Sequence, residues 1–113
     1  MDVYEQRRAD TLILQPAGRL DSTSAQTLQS ELTRRIGDGD TLIVLDFKDL
    51  DYISSAGLRV LLLVGKELKA RDGLLSLCAL NDNVKEVFDI SGFSALFPIF
   101  GSVDEAIAVP PGP

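Results

Sequence analysis

The chain predicts an α/β fold: a small single-domain layered structure, with a central β-sheet of about four to five strands and α-helices packed against it. Three observations carry this. Strand-like and helix-like segments alternate along the chain. The run Thr41 to Phe47 is almost wholly apolar, as in a central strand covered on both faces. The chain has 113 residues, 45% of them hydrophobic, which is enough for one core.

Val3 to Arg8 and Thr11 to Pro16 read as two strands joined by a turn at Ala9-Asp10. Asp21-Ser22-Thr23-Ser24 offers several caps for a first helix, whose apolar residues Ala25, Leu28, Leu32 and Ile36 are spaced by three and four. Gly37-Asp38-Gly39-Asp40 stops it, and the Thr41 to Phe47 strand follows. A short acidic loop with Asp46, Asp49 and Asp51 then leads to a second helix, roughly Ser55 to Ala70. A solvated loop explains these acids, and their spacing alone does not make a metal site. The helix stripe is Leu58, Leu61, Leu62, Gly65 and Leu68, widened by Val60, Leu63 and Val64.

Arg71-Asp72-Gly73 is the stop before a strand over Leu74 to Leu80. Asn83 and Glu86 are a capping pair for a third helix with Val84, Val87 and Phe88 inside. A short strand ends at Ile99-Phe100, and Ser102 with Glu105 caps a last short helix. Phe88, Phe93, Phe97 and Phe100 are most simply core, with a partner-binding face as the other reading. The domain runs over residues 1–108, and 109–113 form a flexible Pro-rich tail.

Composition excludes several functions. The net charge of −6 opposes nucleic-acid binding, because phosphates would repel it. The chain has no histidine, which removes a Ser-His-Asp triad and any histidine-ligated metal. No Gly-x-x-x-x-Gly-Lys-Ser loop is present, so an enzyme is not expected. No apolar run spans a bilayer, and the first residues lack the pattern of a signal peptide. The lone Cys78 cannot form an internal disulfide and reads as a small buried hydrophobe, in keeping with a reducing cytoplasm.

The most informative stretch is Asp51-Tyr52-Ile53-Ser54-Ser55-Ala56-Gly57-Leu58-Arg59. Two hydroxyls stand where a buried helix begins, at unpaired N–H groups and the positive end of the helix dipole. Ser55 there is either a structural cap or a phosphorylation site, and the roles are compatible. Ser54 caps instead if the helix starts one residue earlier. Gly57 is either a close-packing position or a gap that gives a kinase access.

Ile53-Ser54-Ser55-Ala56-Gly57-Leu58-Arg59 resembles the signature of the anti-sigma factor antagonists, small members of the STAS family, whose usual form is Asp-Ser-(Ser or Thr)-Gly-Leu. Gly18-Arg19-Leu20-Asp21 followed by Ala25 resembles the family's Gly-x-Leu-Asp turn, and Asn83 through Ala106 follows its last helix, strand and helix. The resemblance covers about residues 3 to 108. It implies a STAS-like fold with Ser55 as phosphoacceptor, Ser54 in the Asp position and Ala56 in the second hydroxyl position. Gly57 and Leu58 match directly. It also implies a partner-binding surface of Asp21, Ser54, Ser55, Ala56, Gly57, Leu58 and Arg59, in which Asp21 either caps the first helix or orients the serine. The implied partners are an anti-sigma factor acting as a serine protein kinase and a PP2C-type phosphatase. No cofactor is implied, since ATP and magnesium belong to the kinase. The competing reading is a constitutive STAS adaptor subunit of a signalling or lipid-transport assembly, with Ser55 structural.

Overall fold

The computed structural model describes residues 1–108, so the expected tail at 109–113 lies outside the described residues. Strands β1 (Asp2–Arg8) and β2 (Thr11–Leu20) form an antiparallel hairpin whose turn passes through Ala9 at φ 52. Helix α1 (Ser22–Gly37) leads to β3 (Leu42–Asp46), β4 (Leu50–Ile53), α2 (Ser55–Ala70) and β5 (Leu74–Cys78). Helix α3 (Asp82–Ser91), a 3-10 turn at Phe93–Ala95, β6 (Ile99–Phe100) and α4 (Val103–Ala108) complete the domain.

The sheet has six strands in the order β1-β2-β3-β5-β6, with β4 also paired to β2. All pairs except β1 with β2 are parallel. Strand alternation sorts the core into two layers. Leu12, Leu14, Ile43, Leu45, Leu75 and Leu77 form the main core with α1, α2 and α3. Ile13, Val44 and Cys78 face the other way, onto Ala106 of α4. The central position of β3, buried on both sides, is as its apolar run predicts.

The acidic segment is not all loop. Leu50 to Ile53 is a strand, with Leu50 and Ile53 buried and Asp51 and Tyr52 exposed. The Asp46 carboxylate is buried and accepts the Lys48 N–H at 3.1 Å. Asp49 accepts from Gln15 Nε2 at 2.5 Å. Among the described residues, no cluster of acids or cysteine could hold a metal ion.

Strand β2 serves two partners in succession. Leu12 to Leu14 pair with β3, while Gly18 to Leu20 pair with β4 across a register shift at Gly18/Arg19. Gly18 has φ +98, which an L side chain rarely adopts, and its N–H donates to Asp49 O at 2.9 Å. This bend sets β4 alongside the end of β2 and so fixes where α2 begins.

Two expected details change. Asn81, not Asn83, caps α3, accepting the Val84 N–H at 2.8 Å while its amide donates to Leu50 O at 3.0 Å. The outer tie to β4 selects Asn81 over Asn83. Leu63, read as part of the α2 core stripe, is 48% exposed. Phe88 and Phe97 are buried in the core, Phe93 is half-buried and packs edge-on to Phe88 with centroids 6.5 Å apart, and Phe100 is half-buried against the layer of Ile13, Val44 and Cys78.

Cys78 is fully buried, and burial, followed by the charge of Asp46, pushes its thiol pKa up to about 12. A thiol that stays protonated and out of reach is a poor nucleophile. A thiol reagent at pH 8 is therefore expected to leave the folded protein unmodified and to label one cysteine per chain once urea unfolds it.

Candidate functional site

The two signature segments meet at one end of the sheet. Leu20 pairs with Ile53, so the residues that follow them, Asp21 and Ser54, start two helices side by side. Each start is tied back to the end of β2. Ser54 N–H donates to Leu20 O at 2.9 Å, and Ser24 Oγ donates to Arg19 O at 2.6 Å.

Asp21 is the cap of α1. Its carboxylate accepts the Thr23 and Ser24 N–H groups, both at 3.1 Å, and Ser24 Oγ accepts the Asp21 N–H at 2.9 Å, a reciprocal capping box. The Ser24 N–H and hydroxyl, with the Thr23 N–H, hold its pKa below the usual carboxylate value. Among the described residues, its carboxylate makes no hydrogen bond to Ser55. The capping reading of Asp21 therefore accounts for its contacts, and the serine-orienting reading finds no contact.

At α2 the cap is Ser54. Its backbone is extended (φ −96, ψ 172) and its Oγ accepts the Gly57 N–H at 3.3 Å. Ser55 is the first helical residue and exposed, and among the described residues nothing hydrogen-bonds its hydroxyl. Of the two roles open to Ser55, the structural cap is thus already filled by its neighbour. Serine and aspartate are near-equal caps, so Ser54 preserves the helix start without the family's negative charge. Replacing Ser54 by alanine should cost about 1 kcal/mol of stability. Ser55→Ala should stay within about 0.5 kcal/mol. Urea unfolding of the two variants beside the wild type measures both.

Gly57 and Leu58 do not lie on the surface. A Cβ on Gly57 would sit 2.9 Å from Leu20 Cγ and from Ile53 Cγ1, so the glycine lets the first turn of α2 press against the ends of β2 and β4. Leu58 is 7% exposed and belongs to the main core. Neither is therefore on the outer face where the expected partner surface put them: both are held inward in the first turn of α2, Gly57 against Leu20 and Ile53 and Leu58 in the main core. Ala56 is half-buried against the core. What remains outward is Ser55, Arg59 and Leu63, four residues apart on one stripe of the helix.

One neighbouring pair escaped the sequence reading. Arg19 on β2 stacks its guanidinium 4.2 Å from the Tyr52 ring centroid on β4, in direct cross-strand register. Arg19 is the variable position of the Gly18–Asp21 turn and Tyr52 immediately precedes the Ile53–Arg59 segment, but only the unexpected strand β4 brings them together.

A family model described as the STAS domain matches residues 1–106. The chain belongs to the STAS family. A Bordetella bronchiseptica protein provisionally named anti-sigma factor antagonist BtrV is 48% identical over 91 residues, spanning 80% of this chain and 78% of that protein. Among solved structures, a Thermotoga maritima protein, provisionally named an anti-sigma factor antagonist, superposes with TM-score 0.90 at 21% identity, over 94% of this chain and 92% of the other. The anti-sigma factor antagonist SpoIIAA in its unphosphorylated form gives TM-score 0.82 at 24% identity, over 94% and 93%. Its phosphorylated form, named as a Bacillus cell fate determinant, gives 0.75 at 23%, over 95% and 97%. At these identities the structural matches establish the fold. Among the described residues, no helix is long and apolar enough to cross a membrane.

Proposed function

We propose that this chain is the phosphorylation-controlled antagonist of an anti-sigma factor. Unmodified, it docks an anti-sigma factor that is also a serine kinase, through the stripe of Ser55, Arg59 and Leu63, and so releases the client that the kinase holds. The kinase moves the γ-phosphoryl group of ATP to Ser55 Oγ, ADP leaves, and the complex dissociates. A PP2C-type phosphatase hydrolyses the phosphoserine and restores the docking form. The chain is a ligand and a substrate in this cycle, set in the cytoplasm, and catalysis belongs to its partners.

The observation that carries this reading is the division of labour between the serines. Ser54 occupies the cap, which leaves Ser55 exposed with its hydroxyl uncommitted among the described residues. A phosphate at that point meets the positive end of α2 and needs no refolding of the domain. The 48% identity to a protein provisionally named for anti-sigma antagonism supports the pathway, as does the occurrence of the SpoIIAA fold in both phosphorylation states.

The test is transfer of labelled phosphate from ATP by the cognate anti-sigma kinase. Wild type and Ser54→Ala should be labelled, and Ser55→Ala should not. Unchanged labelling of Ser55→Ala would refute the assignment. Tight binding of wild type with no labelling at all would favour the constitutive adaptor.

A further inference from the structure

We propose that Arg59 is the built-in counter-ion of the phosphate, so that modification of Ser55 also withdraws a cation from the docking surface. This rests on Ser55 being the modified residue. Ser55 is the first residue of α2 and Arg59 stands one turn later on the same exposed stripe. Helical side chains lean toward the N-terminus, over the preceding turn, and that direction carries Arg59 toward Ser55. An anion N-terminal to a cation at this spacing is the favourable order. Arginine suits the task better than lysine would, since its planar fork matches phosphate oxygens bidentately.

Arg59 is available for the role. The ion pairs of the described residues engage Arg7, Arg8, Arg34, Arg35 and Arg71, and Arg59 is in none of them. The other arginine near the site, Arg19, is stacked on Tyr52. Before modification, then, Arg59 presents a positive charge beside Ser55 on a chain whose net charge is −6, and a partner carboxylate can use it. Afterwards the dianion adds roughly −1.5 to −2 charges and engages the guanidinium from within the same helix. The patch changes sign, and the partner loses its cationic contact at the same moment.

Phosphoserine installed at position 55 during translation tests the pairing without any kinase. Phosphorus NMR titration at low ionic strength should give the wild type a second phosphate pKa roughly 0.3 unit below that of Arg59→Gln. The gap should close in about 1 M salt. Coincident titration curves at low salt would overturn the proposal. Arg59 is exposed, so Arg59→Gln should fold normally, and its melting curve verifies this. A binding cycle with the anti-sigma factor tests the second half. Arg59→Gln should weaken binding of the unmodified protein, and phosphate should then weaken it by a several-fold smaller factor than in the wild type. An equal factor in both backgrounds would show that Arg59 is not withdrawn. If phosphate leaves wild-type affinity unchanged, the switch in the proposed function falls, while the NMR comparison still decides the pairing.

Discussion

Stoichiometric phosphorylation of Ser55 is expected to weaken binding to the anti-sigma factor by roughly 100-fold or more. Removing the partner of a charge at a packed interface costs about 3–5 kcal/mol, and two factors of ten need about 2.7 kcal/mol. A phosphate dianion that must be desolvated against the partner lies in that range, and losing the Arg59 contact adds to it. The stability of the isolated domain should hardly change, because the group sits at the N-terminus of α2 in solvent. Calorimetric titration of modified and unmodified protein against the same anti-sigma factor, with urea unfolding alongside, separates the two quantities. A loss of less than threefold would end the switch mechanism. Ser55→Asp should reproduce only part of the effect, since it carries less charge and fewer acceptor oxygens than phosphate.

That expectation depends on which serine is where, and this was only partly legible in the sequence. Helix α1 was open to reading because Ala25, Leu28, Leu32 and Ile36 keep helical spacing, and all four are buried. Strand β3 was legible because its apolar run lies between two other strands and both faces are covered. The span of α2 from Ser55 to Ala70 was legible too, but which of Ser54 and Ser55 caps it was not, because adjacent serines have equal capping chemistry and spacing cannot choose between them. The choice comes from β4: its pairing places the Ser54 N–H on Leu20 O and leaves Ser54 extended. Strand β4 itself was hidden by length. In four residues with two exposed in the middle, Asp51 and Tyr52, alternation gives no usable signal. Likewise Asn81-Asp82-Asn83 contains three capable caps, and a tertiary contact to Leu50 selects the first. Gly57 and Leu58 were legible as signature residues, but a signature does not separate groups that touch a partner from groups that hold the helix in place.

Alanine at Gly73 should be the most damaging single-methyl change, at about 3 kcal/mol and a drop in melting temperature of roughly 10 °C. A Cβ there would collide with the Thr41 carbonyl oxygen and lie 3.1 Å from Leu68 O. Thr41 Cβ, fixed directly to the backbone, is 3.0 Å away, and the two oxygens are main chain and committed: Gly73 N–H donates to Leu68 O at 2.7 Å, and Leu74 N–H donates to Thr41 O at 2.8 Å. At Gly57 the obstacles are side chains of Leu20 and Ile53, which can shift a little within the core. At Gly73 relief means moving the C-terminal end of α2 away from the start of the β3–β5 ladder, where Leu42 pairs with Leu74. The lesion lies at the opposite end of α2 from Ser55, so it distinguishes two ways of losing the partner. Binding by Gly73→Ala should fall only as far as the unfolded fraction rises, and should recover on cooling toward the temperature of maximum stability. Binding by the phosphorylated wild type should stay weak at every temperature where the domain is folded. If Gly73→Ala melts like the wild type, the close approach of this turn to β3 is not what secures the helix.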